Sequence, residues 1–326
     1  MRETNFLELH YYLDDNSHSM NALVQNKSEA EILYLIKEIC DVLNINIIIE
    51  TEALAEGGIR RWFKLTRKDE RKNLTYSTAI CISLITAVVT TPLTVLLTKS
   101  TEILIEKIFE DDIKKQIEQL ELEGVKLSNE EKALNIKLKK IELTVKIQEV
   151  EDNYKIKKRK SNFYEELRKD NQVHSVSFLL EDINKKPISK ELIVIRQDFN
   201  KHVLETDKID TEPIDDAVIE IISPVLKKGK YKWKGLYNSK PISFFMKSNE
   251  FKTLVQTGKV EFKNGSSINC LLDIIKVIDN EGNERIESYS VLRVNSYFEH
   301  DKSIETGEGK KIRQQKEADE GQYNMF

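Results

Sequence analysis

The densest polar constellation in the chain is Asp14-Asp15-Asn16-Ser17-His18-Ser19. A histidine near carboxylates titrates close to neutrality. Asp14, Asp15 and His18, if they face Glu52 and Glu56, would therefore make a ligand or trigger site. The competing reading is an Asx-rich turn between a strand and a helix. Other chemistry finds less support. His10, His18, His174, His202 and His300 show no close pairing with other ligand types at metal spacing. Gly57-Gly58 lacks the Lys-Ser or Lys-Thr of a phosphate loop. Asp215-Asp216 followed by Glu220-Ile221-Ile222 invites comparison with the restriction-nuclease pattern, but Ile222 stands where that pattern carries lysine. No catalytic residue, metal site or cofactor is expected. Cys40, Cys81 and Cys270 are widely spaced and odd in number, which argues against a disulfide framework and for a reducing compartment.

Two basic clusters could meet a polyanion. Lys155 to Lys160 holds five cations beside Tyr154, Phe163 and Tyr164, with Lys157, Lys158, Arg159 and Lys160 as the candidate contacts. Lys230, Lys232 and Lys234 alternate with Tyr231 and Trp233, a pattern that can neutralise phosphates and stack bases of single-stranded nucleic acid. The plainer readings are a solvated helix end for the first and a protected sheet edge for the second.

These residues must be carried by several modules. The chain has 326 residues, 33% of them charged and 40% hydrophobic, too many and too polar for one uniform core. Its net charge of −4 excludes nucleic-acid binding through bulk charge, so any polyanion contact is local. From Asn73 to Thr98 there are 26 residues without a formal charge, nine of them Ser or Thr. At about 1.5 Å per residue this run is long enough to span a hydrocarbon core of about 30 Å. The hydroxyls of Ser83, Thr86, Thr90, Thr91 and Thr94, with a kink at Pro92, suit a self-associating span; a buried core helix is the alternative. Arg60, Arg61, Lys64, Arg67, Lys68, Arg71 and Lys72 precede it and place the N-terminal side in the cytoplasm. Whether the run crosses once or turns back at Thr91-Pro92 stays open.

The fold class expected is α+β and multi-module. Residues 1–66 form a small α/β module, with strands at Phe6–Tyr12 and Ile45–Glu52 and a helix opened by a Ser28/Glu31 capping box. Residues 67–98 hold the basic flank and span, and 99–172 a helical or coiled-coil stalk with stripes such as Leu134, Leu138, Ile141 and Val145. Residues 173–300 form a β-rich barrel or sandwich containing a short helix near Phe251–Thr257, with hairpins at Asn264-Gly265 and Asp279–Asn283. Residues 301–326 form a disordered tail.

Leu7–Tyr12, Asn16–Met20 and Glu52–Gly58, together with Trp233, Phe244, Phe251, Gly258–Phe262 and Tyr289–Leu292, resemble patches of uncharacterised bacterial membrane-anchored proteins associated with defence against phage. The ending Gln322-Tyr323-Asn324-Met325-Phe326 resembles the short peptides that dock on the DNA sliding clamp. The first resemblance implies an oligomeric effector or sensor-effector anchored in the bacterial inner membrane, which it perturbs on activation. Its partners would be the lipid bilayer, further copies of the chain and a protein of the same system. The alternative is a membrane-tethered, non-enzymatic binding or scaffold protein whose β domain recognises a protein or nucleic acid.

Overall fold

The computed structural model describes residues 3–14, 19–52, 59–68, 76–95, 109–111, 113–118, 121–122, 128–209, 213–227, 229–299 and 302–323. The chain divides into two compact units, one of residues 1–206 with 280–283, the other of 207–279 with 284–326.

The first unit is built on an antiparallel sheet in the order β2 (Ile47–Thr51), β3 (Ile59–Arg67), β1 (Thr4–Leu13), β4 (Val173–Glu181), β5 (Leu192–Ile195). Period-two alternation gives it two different faces. Leu7, Leu9 and Tyr11 of β1, Phe63 and Leu65 of β3, and Val176, Phe178 and Leu180 of β4 enter the hydrophobic core. Phe6, Glu8 and His10 alternate with them. The central partner of β1 comes from far along the chain, with Leu7 opposite Leu180.

Helix α1 (Ala22–Val42) contributes Ile32, Leu35, Ile36 and Ile39 to this core. It starts earlier than Ser28/Glu31 suggests, because Asn21 accepts the amides of Leu23 and Val24. Ser28 lies inside the helix, buried and bonded to Tyr11, and Glu31 pairs with Arg159. Helix α4 (Tyr154–Leu167) follows α3 (Asn129–Asp152) across Asn153, whose side chain accepts the amides of Lys155 and Ile156.

The expected membrane span is corrected. Its helical part is α2 (Thr78–Thr90), only 13 residues, capped by Ser77 and ended by Thr91 with extended backbone. Ile80, Ile82, Leu84, Ile85 and Val89 are fully buried in the core shared with α1 and the sheet. No helix among the described residues is long and apolar enough to cross a membrane. The physical cause is that a helix buried on all sides by protein needs the same composition as one buried by lipid. The orientation drawn from flanking charge loses its basis with the span.

In α3 the faces are reversed from expectation. Leu143, Ile147 and Val150 pack in the core, while Leu134, Leu138, Ile141 and Val145 are more than half exposed.

The second unit is a barrel. Strands β7 (Ile214–Ser223), β8 (Trp233–Tyr237) and β9 (Lys240–Met246) form a meander; β10 (Ser267–Ile278) returns beside β7, and β11 (Glu284–Glu299) closes the ring by pairing antiparallel with β10 and parallel with β9. This is Greek-key connectivity. Helix α5 (Asn249–Gln256), between β9 and β10, supplies Phe251 and Val255 to the interior. Gly235 is required where β8 crosses β7: a Cβ there would lie 2.6 Å from the Glu220 carbonyl oxygen. The short β6 (Lys208–Ile209) extends β10.

Asp279–Asn283 joins β10 to β11 as a hairpin turn. Asn264-Gly265 is a turn, but Val260–Phe262 is not a strand, so the hairpin expected there does not form. The stretch expected to be a loose tail contains β12 (Lys302–Glu305), paired with β11, and α6 (Gly307–Tyr323). Thr306 Oγ1 donates to the Val294 carbonyl at 2.5 Å, and Ser248 bonds Glu308 at 2.7 Å. Residues 324–326 of the clamp-like ending lie outside the described residues.

Candidate nucleic-acid interface

Strands β8 and β9 alternate between the barrel interior and its surface. Trp233, Ile242, Phe244 and Met246 point inward, while Lys232, Lys234 and Ser243 are exposed. Lys234 stands opposite Ser243, and the Lys232 ammonium lies 5.0 Å from the centre of the Phe245 ring. The loop before β8 carries Lys227, Lys230 and Tyr231, the last 62% exposed. The tyrosine ring folds back over Gly229, whose missing side chain makes room for it.

Between this loop and α5 is a cavity of about 310 Å³. Lys227, Tyr231, Asn249 and Lys252 line it, and Trp233 and Met246 form part of its wall. From Pro224 to Lys263 the chain carries ten lysines against only Glu250 and Glu261, although the whole protein is acidic. Among the described residues Lys227, Lys230, Lys234 and Lys252 form no ion pair. Chemically the face offers cations for phosphates, the exposed Tyr231 ring for stacking and an amide for base edges.

The sequence brought Lys230 and Lys232 to this face. Trp233 is corrected: it is 2% exposed and packs edge-on to Phe262 with ring centres 5.9 Å apart, so it holds the barrel together and cannot stack on a base. Lys227, Phe245 and Lys252 were missed. Extending the lysine pattern backwards would have found Lys227; Phe245 needs the β8–β9 register.

The other basic cluster is not a polyanion surface. Lys158, Arg159 and Lys160 are buried, and Arg159 pairs with Glu31 at 3.2 Å and covers the Tyr34 ring. The Lys160 ammonium donates to the Thr91 carbonyl, and burial pulls its pKa down to about 7. Burial first, and the charge of Lys160 second, lower His202 to about 3. Lys157 lies over Tyr154. Pro92 and Thr94 line a cavity of about 150 Å³ beside Lys160.

The hydroxyls assigned to helix association instead bond back within α2: Ser83 donates to Ala79, Thr86 to Ser83 and Thr90 to Thr86. The cations expected at a membrane surface serve the sheet. Arg60 approaches Glu8 at 3.4 Å, Arg61 pairs with Glu29, Lys64 pairs with Glu50, and Arg67 donates to the Tyr76 carbonyl. The Lys68 amide bonds Asn46. Arg71 and Lys72 lie outside the described residues.

The proposed trigger loop is not assembled from its described members. Asp14 lies 3.1 Å from His174, and Glu52 pairs with Lys185 at 2.6 Å. Glu52 bonds the Trp62 backbone, and Trp62 pairs with Glu8, six residues along β1 from Asp14. Six residues of strand correspond to about 20 Å of backbone between the two positions. Asp15, His18 and Glu56 lie outside the described residues.

The sheet brings together a carboxyl pair that sequence spacing hides. Glu8 and Glu181 are both buried and hydrogen-bonded to each other, and the Trp62 indole donates to Glu181 at 3.1 Å. Burial, then the charge of Glu8, push Glu181 up to about 7. The folded state therefore holds a proton that the unfolded chain releases near its ordinary carboxyl pKa. Its stabilising contribution is full below about 4.5 and is lost as pH rises through about 7. Urea midpoints should accordingly fall between pH 5 and pH 8, and Glu181→Gln should flatten that dependence.

No family model, no curated protein and no solved structure matches the chain.

Proposed function

We propose that this chain is a non-enzymatic binding protein whose barrel takes single-stranded nucleic acid across β8, β9 and the loop preceding β8. The observation that carries the reading is the row of exposed lysines beside the exposed Tyr231, in a stretch from Pro224 to Lys263 that carries only two acidic residues. Five-stranded Greek-key barrels of the oligonucleotide- and oligosaccharide-binding type use the corresponding second and third strands and the loop between the first two. Architecture alone does not assign function, so the argument rests on the side chains. Stacking on the exposed Tyr231 ring would make the binding tolerant of sequence.

Photocrosslinking to an oligonucleotide carrying 5-bromouracil tests the site. Adducts are expected on peptides containing Tyr231 or Phe245. Adducts confined to residues 1–206 would overturn the reading.

Self-association is a further part of the reading, supported by the exposed Leu134, Leu138, Ile141 and Val145, which recur at four, three and four. Light scattering should give a mass above one chain for the native protein and a monomer for Leu138→Glu with Ile141→Glu. A native monomer at micromolar concentration would remove this part alone.

A further inference from the structure

Cys40 of α1 and Cys81 of α2 are 41 positions apart, yet their sulfur atoms lie 2.7 Å from each other. Both are buried, at 2% and 0% exposure, in the core between the two helices and the sheet. Unbonded heavy atoms are in favourable contact at about 3.5–4.0 Å, whereas a sulfur–sulfur bond is about 2.04 Å long. Two thiols are thus crowded at the observed separation, and a bond needs only a small further approach. We propose that Cys40 and Cys81 are a modification site, oxidised to a disulfide that ties α1 to α2. Cys270 is the built-in control. It belongs to the other unit, is buried, and donates to the Ala217 carbonyl at 3.4 Å.

The oxidant is a low-molecular-weight disulfide of the glutathione type. One cysteine thiolate attacks a sulfur of that disulfide, forming a mixed disulfide and expelling one glutathione thiolate. The second cysteine thiolate attacks the protein-bound sulfur, closing the protein disulfide and expelling the other. The protein loses two protons and two electrons, and the oxidant is reduced to two thiols. Burial and the neighbouring Cys40 hold the Cys81 thiol well above its ordinary pKa, so exchange in the closed core is slow. The bond therefore forms as α2 seats and resists reduction afterwards.

The full chain is unfolded in guanidinium, refolded with oxidised and reduced glutathione, then alkylated with maleimide in denaturant. Intact mass should show a single adduct, and peptide mapping should place it on Cys270 with Cys40 joined to Cys81. Cys270→Ser should take no adduct, and Cys40→Ser should take two. The oxidised chain should have a higher denaturant midpoint than the reduced chain, a difference that Cys81→Ser abolishes. Three adducts on the refolded wild-type chain, or a bond involving Cys270, would overturn the proposal.

Discussion

Reversing three lysines, Lys227→Glu, Lys232→Glu and Lys234→Glu, should lower affinity for a single-stranded oligonucleotide on the order of 100-fold or more. Each lysine–phosphate pairing contributes roughly 1 kcal/mol, and removing three amounts to about two decades. The salt dependence should change with it. Each neutralised phosphate contributes about −0.7 to the slope of log affinity against log salt for a single strand, so three fewer neutralised phosphates should flatten the slope by about 2. All three residues are exposed on the barrel surface and lie outside its core, so folding should be preserved. Circular dichroism and an unchanged thermal midpoint would verify that. Tyr231→Ala tests the other half of the face: it should cost about 1–3 kcal/mol of stacking while leaving the salt slope in place. Fluorescence anisotropy at several salt concentrations separates the two effects.

The second large effect concerns α2. Leu84 is fully buried in the core of the first unit. Leu84→Ala should therefore cost about 2–5 kcal/mol, through reduced transfer energy and the cavity left behind. Ile85→Asp should prevent folding of this unit, because it would place a carboxylate at a fully buried position of the hydrophobic core. A lipid-facing position would respond differently: leucine to alanine alters insertion energy without opening a cavity. Denaturant titration of the Leu84→Ala chain in detergent-free buffer distinguishes the two settings.

Helix α2 shows what the sequence can and cannot convey. Its apolar run, the Thr91 terminus and Pro92 were all legible, but whether lipid or protein surrounds such a run depends on partners that local pattern does not name. Here they are α1 and a sheet whose central pair, β1 with β4, joins residues some 170 positions apart. The cations of β3 misled for the same reason. Arg60, Arg61 and Lys64 look like a membrane flank until the fold supplies Glu8, Glu29 and Glu50.

The barrel was legible as alternating strands and as a short helix, but its closure was not, because parallel pairing of β9 with β11 leaves no mark on either strand's pattern. The same ladder explains the mixed outcome at the candidate site. Lys230 and Lys232 could be read from alternation, whereas Trp233 belongs to the inward phase of that alternation and is a core residue. The Glu8–Glu181 pair was invisible for want of any sequence proximity.

The proposed binding is that of an acidic chain taking nucleic acid through one basic face with an exposed tyrosine. Its most direct measurement is the affinity of the full-length protein for a labelled single-stranded oligonucleotide between about 50 and 200 mM salt, with duplex of the same sequence as competitor. Binding should follow a log–log slope of about −3, as four neutralised phosphates require, and the duplex should compete poorly. No binding at the lowest salt, or equal preference for duplex and single strand, would rule out a single-strand-binding barrel.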